Sequence, residues 1–488
     1  MNNAIQKWTS MLLIMMMTVL ILPFQVHAET SKKDVNDHVF IWENEEIPDE
    51  FDIWIKQVAD VVVTHTPEIG LTRIEAKNAD DLHEIVAQIK ARFGEQIEVS
   101  GLDPDLEVPI SFPLPDINTI EQVDRASQSK KQLQSIVSEN MEESLHEQWA
   151  WHIEKTTNFG ESYKIETGNH QTKIAVIDSG IDYQHPDLKN NIIDMGKSFV
   201  PGSETAQDDM GHGTMVAGVI AANGKLKGIG PDLGIIPYKV MGARDGESSW
   251  VIQAIIAAAK DNVDVINLSL GSYKSLDQEE DVAIIEAYRR AAKFAKKKGV
   301  IVVASAGNEA LDLTDPIQVG ISKEREGERM VHLPGGGIDH VIAVSATNNQ
   351  DQISSISNYG RVITFAAPGG EMDMETFNAW CLVTYPTHFP QPQIFKQMGI
   401  PEGYMFTAGT SLAAPNVTGS IGVYLAQQKK HKKMNPNKVT NQLIQSTTDI
   451  GIEGKDNYFG YGLINLTQVL KKHQNKNEYK KNRYQKAS

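Results

Sequence analysis

The chain has 488 residues, 41% hydrophobic and 22% charged, which is ordinary for a globular protein with one large α/β domain and smaller units. Its 46 Lys and Arg against 63 Asp and Glu give a formal net charge of −17, which argues against a nucleic-acid partner. The single cysteine, Cys381, excludes an internal disulfide.

Residues 1–28 have the pattern of a secretory signal peptide. Lys7 supplies a positive charge, and the run 11–24 is apolar but too short for an ordinary membrane span. Small residues at Val26 and Ala28 suit a signal peptidase, so we expect cleavage after Ala28. Because no second long apolar run follows, we expect no membrane span. Export without disulfides indicates an extracellular, bacterial protein.

Residues 29–107 are predicted to form a small α/β domain. Strands are expected over 61–64, 71–75 and 96–99. Apolar residues at helical spacing predict a helix over 80–92, with Asp80 as its candidate cap. Prolines from Pro104 to Pro115 then indicate a linker, which we assign to 108–147.

Residues 148–470 alternate predicted strands and helices and form the main domain. This alternation predicts an α/β fold with a mainly parallel sheet and helices on both faces. Strands are expected over 173–178, 234–240, 263–270 and 299–304, and helices over 212–222, 249–262, 281–298 and 411–428. The basic tail 471–488 is predicted to be disordered, with contact to anionic cell-wall polymers as the alternative.

Three separated residues supply an acid, a base and a nucleophile. Asp178 ends a buried strand, at the edge where open parallel sheets gather their sites. His212 lies between two glycines at the start of a helix, and Ser411 begins a second helix. The order Asp, His, Ser is one known arrangement of the serine-hydrolase triad. The alternative Gly-x-Ser-x-Gly elbow does not fit, because Ala413 stands at its second glycine.

Asn308 follows the strand that ends near Ala304 and could donate a hydrogen bond to an oxyanion, together with the N–H of Ser411. Each motif alone has a structural reading, such as a helix cap at Ser411. The four in one chain, each on a suitable element, favour catalysis. The alternative from another functional class is a non-catalytic binding module with the same scaffold.

These four residues resemble the subtilisin-like serine proteases, and the resemblance covers nearly all of 149–470. It implies Asp178 as acid, His212 as base, Asn308 as oxyanion amide and Ser411 as nucleophile. It also implies a primary specificity pocket between two walls, formed by Ser269, Leu270 and Gly271 and by Ser305, Ala306 and Gly307.

The resemblance implies further roles near the substrate. The segment containing Gly246 and Glu247 would pair with extended substrate backbone, so we count both as substrate-binding. Glu309, beside Asn308, could favour a basic residue before the scissile bond; the alternative is that Glu here accompanies broad specificity. The small domain would be a propeptide that inhibits the enzyme and is removed by self-cleavage between about Glu98 and Gln148.

A structural calcium ion is possible in this family but disfavoured in this chain, and no metal site or required cofactor is predicted. Asp187 matches one calcium ligand, yet the loop 221–228 is short and carries Lys225 and Lys227. A single carboxylate near lysines is a poor calcium site. His332, His340 and His388 lack metal-ligand spacing and are interpreted as ordinary.

Within the family, the chain is most similar to the lantibiotic leader peptidases, which remove leaders from modified antimicrobial peptides. The resemblance rests on Met215 after the histidine motif, on the Gly-Thr-Ser-Leu motif and on an aromatic insertion over 380–406. We therefore predict a secreted endopeptidase made as a preproenzyme whose substrate is a lantibiotic precursor. The alternative is a broad-specificity extracellular subtilase for general protein degradation.

Overall fold

A computed structural model describes residues 36–103, 106, 144–242, 246–371, 377–428 and 434–474. The predicted signal peptide, most of the predicted linker and the end of the predicted tail lie outside these residues. The tail prediction begins too early, because residues 471–474 still belong to a helix.

The small domain, residues 36–103, is a four-stranded antiparallel sheet with helices on one face. Phe40 and Trp42 point toward its helices, whereas Val39 and Ile41 join the core of the main domain. The order of strands in the sheet is β2-β3-β1-β4. Its elements are β1 (Asp37–Trp42), α1 (Phe51–Val58), β2 (Val62–Thr66), β3 (Leu71–Glu75), α2 (Ala79–Phe93) and β4 (Ile97–Leu102).

Two features of the small domain differ from the sequence prediction. Strand β1 and helix α1 were not predicted. The cap of α2 is Asn78, whose side chain accepts a hydrogen bond from the N–H of Asp81 at 2.9 Å, so the assignment of Asp80 as cap is wrong. Asp80 instead lies in the first turn of α2, where an acidic side chain favours the helix dipole.

The main domain is built on a seven-stranded parallel sheet with the order β13-β12-β10-β8-β5-β7-β6. Two antiparallel pairs, β9 with β11 and β14 with β15, lie outside it. The strands are β5 (Lys173–Asp178), β6 (Lys197–Ser198), β7 (Gly234–Lys239), β8 (Val265–Leu268), β9 (Ser272–Ser275), β10 (Ile301–Ser305), β11 (Met330–Leu333), β12 (Val341–Thr347), β13 (Ile363–Pro368), β14 (Cys381–Thr384) and β15 (Tyr404–Thr407).

Helices cover both faces of this sheet, as predicted. Helices α5 and α10 pack on one face and α6 and α7 on the other. No helix in the described ranges is both long and apolar enough to cross a lipid bilayer. The helices are α3 (Leu145–Trp149), α4 (Trp151–Thr157), α5 (His212–Ala221), α6 (Ser248–Lys260), α7 (Glu279–Lys297), α8 (Pro316–Ser322), α9 (Gln393–Gln397), α10 (Thr410–Gln427) and α11 (Pro436–Ile444).

The alternation of side chains along the central strand explains this layering. Ile174 and Val176 of β5 belong to the core under α5 and α10, whereas Ala175 and Ile177 belong to the core under α6 and α7. Both sets are apolar, because a parallel strand covered on both faces buries all of its side chains. Polar residues therefore concentrate where the strands end, and Asp178 is the last residue of β5.

Candidate active site

Asp178 and His212 form a hydrogen-bonded pair at the carboxyl edge of the sheet. The Nδ1 atom of His212 lies 2.8 Å from Oδ1 and 3.0 Å from Oδ2 of Asp178. Asp178 is fully buried and His212 is 9% exposed. The backbone N–H of Ser179 also donates to Asp178 at 2.7 Å. Because a carboxylate can only accept, Nδ1 of His212 carries the proton and Nε2 is free to act as a base.

The surroundings change how readily His212 takes a proton. Burial lowers the pKa of His212, but the charge and the hydrogen bond of Asp178, with the charge of Asp208, outweigh burial and raise that pKa above its usual value. The imidazolium that forms when His212 removes a proton is therefore stabilised in place.

Asp208 holds the loop that carries the base, and the sequence analysis did not identify it. Its Oδ1 accepts hydrogen bonds from the Ser179 hydroxyl at 2.8 Å and the Gly211 N–H at 2.7 Å. Its Oδ2 accepts from the N–H and the hydroxyl of Thr214, at 2.9 and 2.5 Å. An acidic residue four positions before His212 was the available signal, since Asp is a preferred side chain at helix N-termini.

Ser411 lies in the first turn of α10. Its carbonyl lacks the usual helical hydrogen bond and is bound by a side chain instead. Pro415, four residues later, has no N–H to give to the Ser411 carbonyl. The hydroxyl of Ser269 donates to that carbonyl instead, at 2.7 Å. The start of α10 is thereby tied to the residue that follows β8.

Asn308 presents its amide N–H group toward the nucleophile. Its Oδ1 accepts hydrogen bonds from the backbone N–H and the hydroxyl of Thr410, both at 2.8 Å. This pairing fixes which end of the amide is oxygen. A Cβ atom at Gly409 would lie 3.1 Å from Ser411 Oγ and 3.3 Å from Asn308 Nδ2. The serine hydroxyl and the amide nitrogen therefore lie close to the same point. The arrangement suits an oxyanion hole.

The hydrogen bond from Ser411 to the base is not formed in this structure. Nε2 of His212 is buried and has no hydrogen-bond partner among the described residues. Helices α5 and α10, which carry His212 and Ser411, pack directly against each other. Contacts of this kind are often long in free enzymes and shorten when substrate binds.

The two predicted pocket walls lie at the ends of neighbouring strands. Residues 269–271 follow β8 and residues 305–307 end and follow β10, and these two strands are paired. His332 lies between the walls. A Cβ atom at Gly271 would collide with the His332 imidazole, and one at Gly307 would lie 3.1 Å from its Nε2. His332 therefore lies beside both predicted walls, a contact that its own segment of sequence does not indicate.

Glu309 reaches the same pocket but is held by two neighbours. Its Oε2 accepts hydrogen bonds from the Tyr273 hydroxyl at 2.5 Å and from Asn358 Nδ2 at 2.9 Å. A Cβ atom at Gly307 would lie 2.8 Å from this oxygen. The carboxylate thus adds negative charge beside the walls. Tyr273 and Asn358 could not be identified from the sequence, because their contacts with Glu309 span 36 and 49 residues.

The segment with Gly246 and Glu247 contacts the small domain. The N–H of Leu106, which follows the small domain, donates to the Gly246 carbonyl at 2.7 Å. Glu247 is 2% exposed and forms an ion pair with Arg73 at 2.8 Å. In this arrangement Glu247 therefore binds the small domain and does not line an open groove.

The surroundings of Asp187 do not fit calcium. Its oxygens accept hydrogen bonds from the N–H groups of Lys225 and Leu226, at 3.2 and 2.9 Å, and from the Tyr404 hydroxyl at 2.6 Å. These donors occupy lone pairs that the Asp187 carboxylate would need to coordinate a cation. Over the described ranges, no three His, Cys, Asp or Glu side chains are arranged to hold a metal ion.

Comparisons with known proteins agree with this geometry. Residues 169–462 match a family model described as the subtilase family. The chain is 33% identical over 351 residues to the epidermin leader peptide-processing serine protease EpiP of Staphylococcus epidermidis, covering 66% of this chain and 74% of that protein. It is 27% identical over 489 residues to the nisin leader peptide-processing serine protease NisP of Lactococcus lactis subsp. lactis, covering 93% and 68%.

A solved structure of a leader peptide-processing protease has a similar fold. The crystal structure of the epidermin leader peptide processing serine protease EpiP from Staphylococcus aureus superposes with a TM-score of 0.70 at 27% identity. The superposition covers 89% of this chain and 97% of that one. The likeness therefore extends beyond residues 169–462.

Proposed function

Because the chain belongs to the subtilase family of serine proteases, we propose that Ser411 attacks the scissile carbonyl while Nε2 of His212 takes its proton. Asp178 keeps the imidazole in the required tautomer. The Asn308 amide and the Ser411 N–H stabilise the oxyanion, and water then releases the acyl enzyme. The observation that carries this proposal is the buried Asp178–His212 pair at 2.8 Å.

The proposed substrate is a lantibiotic precursor, from which the enzyme removes the leader. Two relatives are named for this reaction, and the alignment with one of them covers 93% of the chain. General degradation of extracellular protein is the competing function. Subtilisin NAT of Bacillus subtilis subsp. natto, whose name states no specific substrate, is 32% identical over 307 residues. That alignment covers only 62% of the chain.

Digestion of two substrates separates these functions. The mature enzyme is incubated with a lantibiotic precursor and with casein, and the products are identified by mass spectrometry. Leader processing predicts one cut at the leader junction and slow, incomplete loss of casein. Rapid casein digestion with no preference for the junction would favour the broad-specificity enzyme.

We also propose that Glu309 favours a basic residue before the scissile bond. Its carboxylate lies at the pocket walls, and the net charge of −17 does not oppose a cationic peptide. Peptides that differ only in Arg or Leu before the cut test this idea. The wild type should prefer Arg, and Glu309→Gln should reduce that preference. Equal Arg preference in both proteins would exclude the role.

The small domain is proposed to be an inhibitory propeptide of a secreted preproenzyme. Arg73 binds Glu247, and Leu106 pairs with Gly246, on the edge that we expect extended substrate to use. Asp103 accepts a hydrogen bond from the Ser249 N–H at 3.1 Å, at the start of α6. These contacts support the proposal, because they lie at the segment that we expect to bind substrate.

Maturation of a nucleophile variant tests this proposal. Ser411→Ala protein should keep its small domain attached, whereas wild-type protein should lose it by a cut between about residues 98 and 148. The two proteins are compared by intact mass. Addition of active wild-type enzyme should cleave the variant, which shows that its cut site is accessible. Processing of purified Ser411→Ala without added enzyme would refute self-cleavage.

A further inference from the structure

The end of β14 and the segment that follows it are fixed to helix α5, which begins with His212, and to the loop after β5. The hydroxyl of Thr384 donates to the Thr214 carbonyl at 2.7 Å. Thr387 donates to Asp182 through its N–H at 2.8 Å and its hydroxyl at 2.6 Å. Asp182 is 1% exposed. The segment is therefore anchored at buried groups, and its side chains keep fixed positions.

A second anchor lies one residue further on. Nε2 of His388 lies 2.9 Å from the Asp208 carbonyl and donates to it. Asp208 is the residue whose carboxylate clamps Gly211 and Thr214, on either side of His212. The segment and the base are thus held by the same loop.

Beside these anchors, Tyr385 and Phe389 form a surface that we name the aromatic wall. Their ring centroids are 6.0 Å apart, and both side chains are half-buried. A Cβ atom at Gly211 would lie 3.4 Å from Tyr385 and 3.7 Å from Phe389. The wall therefore contacts the residue that immediately precedes the base.

We propose that the aromatic wall is a substrate subsite for an apolar side chain on the leaving half of the peptide. This inference rests on the proposed proteolytic function and names a determinant of its specificity. Peptide must pass His212, because this residue delivers a proton to the leaving amine. A half-buried aromatic pair beside that path offers apolar contact to the first residue released.

The leaving half is the occupant because other segments bind the acyl half. The walls for the residue before the cut lie at the ends of β8 and β10, and the pairing edge lies at Gly246, after β7. The aromatic wall comes from the β14–β15 hairpin, which leads directly into the helix of Ser411. For leader processing, the leaving half would be the start of the released peptide.

Quenched peptides with Arg before the cut, and either Leu or Ser after it, test the subsite. A hydrophobic contact of one side chain discriminates by about tenfold to a hundredfold in kcat/KM. Wild-type enzyme should prefer Leu by about tenfold, and Phe389→Ala should cut both peptides at similar rates. Phe389→Leu keeps an apolar side chain and should retain the preference. Phe159→Ala, at a side chain that is 76% exposed, is the control and should behave as wild type.

The outcomes separate this inference from the proposed function. An equal loss of rate on both peptides in Phe389→Ala would overturn the subsite, since it would show a structural role. A wild type that shows no preference between Leu and Ser after the cut would also overturn the subsite, even if it removes a leader from a precursor. A wild type that ignores the precursor but keeps the Leu preference would support the subsite and refute leader processing.

Discussion

Asp178 accepts hydrogen bonds from His212 and from the backbone of Ser179, so its carboxylate has little freedom to turn. The base is in turn held by a loop that Asp208 clamps at Gly211. Asp178 and the loop before His212 are thus each held by a buried neighbour. Such support keeps the reacting groups within the narrow geometry that catalysis needs.

The raised pKa of His212 predicts how kcat/KM depends on pH on the acidic side. Acyl transfer needs the neutral imidazole, so kcat/KM should fall as the pH decreases through the pKa of His212, which lies above its usual value of 6.5. Asp178→Asn removes the charge that raises this pKa. We expect the acidic limb to move to lower pH and kcat to fall by about 10⁴. An unchanged limb in the variant would show that another group titrates.

Substitution of Asn308 by Asp is expected to reduce turnover without reducing stability. Asn308→Asp keeps the oxygen that accepts from Thr410 but removes the N–H donor from the oxyanion hole. A fall in kcat of about 10² to 10³ or more is expected, a range measured on a subtilisin, with little change in KM or Tm. Asn308→Ala, which also removes the acceptor, should lower Tm as well. Asn308→Asp activity within tenfold of wild type would exclude the role.

Among single residues, the sequence indicates candidates that lie in short motifs. It does not indicate residues whose role depends on tertiary contacts. Asp178, His212, Asn308 and Ser411 could be proposed from the sequence because each lies in a local pattern on a suitable element. The contact of His332 with Gly271 could not be proposed, because nothing in its own segment indicates it.

Among the elements, the β14–β15 hairpin has a structural role as well as a proposed binding role. Tyr404, at the start of β15, donates its hydroxyl to Asp187, the residue that matches a calcium ligand of the family. The hairpin therefore supplies a hydrogen bond where an ion would otherwise hold the loop. The expectation of no calcium at Asp187 stays a prediction.

Thermal unfolding with and without chelator tests that expectation. The Tm of the wild type should not change when EDTA is added. Tyr404→Phe should lower the free energy of unfolding by about 1–3 kcal/mol, because Asp187 loses a buried donor. Tyr458→Phe, at a tyrosine that is 42% exposed, should have little effect. A clear decrease in wild-type Tm with EDTA would indicate a bound metal ion.

Elements were predicted well where burial on both faces or helical spacing was continuous, as for β5 and α7. Strand β1 was missed because it shows no alternation of polar and apolar residues. Phe40 and Trp42 face the helices of the small domain, while Val39 and Ile41 face the main domain, so both sides are apolar. Only the docked arrangement of the two domains explains that pattern.

For the molecule as a whole, the two domains meet through a shared apolar core and a buried network of charges. Arg73 forms ion pairs with Asp37, Asp103 and Glu247, at 2.8, 3.1 and 2.8 Å. Arg290 of α7 binds the carbonyls of Trp42 and Ile69 in the small domain. The order of domains could be predicted from composition, but this docking could not, because its partners are up to 248 residues apart.

The charge network predicts that the small domain can be loosened by one substitution. Arg73→Ala leaves Asp103 and Glu247 buried without their guanidinium partner, which typically costs about 3–5 kcal/mol. In the Ser411→Ala background, where no self-cleavage is expected, the small domain should become sensitive to a low concentration of added trypsin. Lys77→Ala, at an exposed lysine of the same domain, is the control. Equal resistance in both variants would show that the network does not hold the domains together.

Labelling with an organophosphonate fluoride most directly tests the claim that Ser411 is a nucleophile activated by His212. The serine oxygen displaces fluoride and forms a stable phosphonyl ester, which peptide mapping of the mature enzyme locates. The predicted result is a single adduct at Ser411, formed far more slowly in His212→Ala. An unlabelled Ser411 in active enzyme, or an adduct at another residue, would contradict the account.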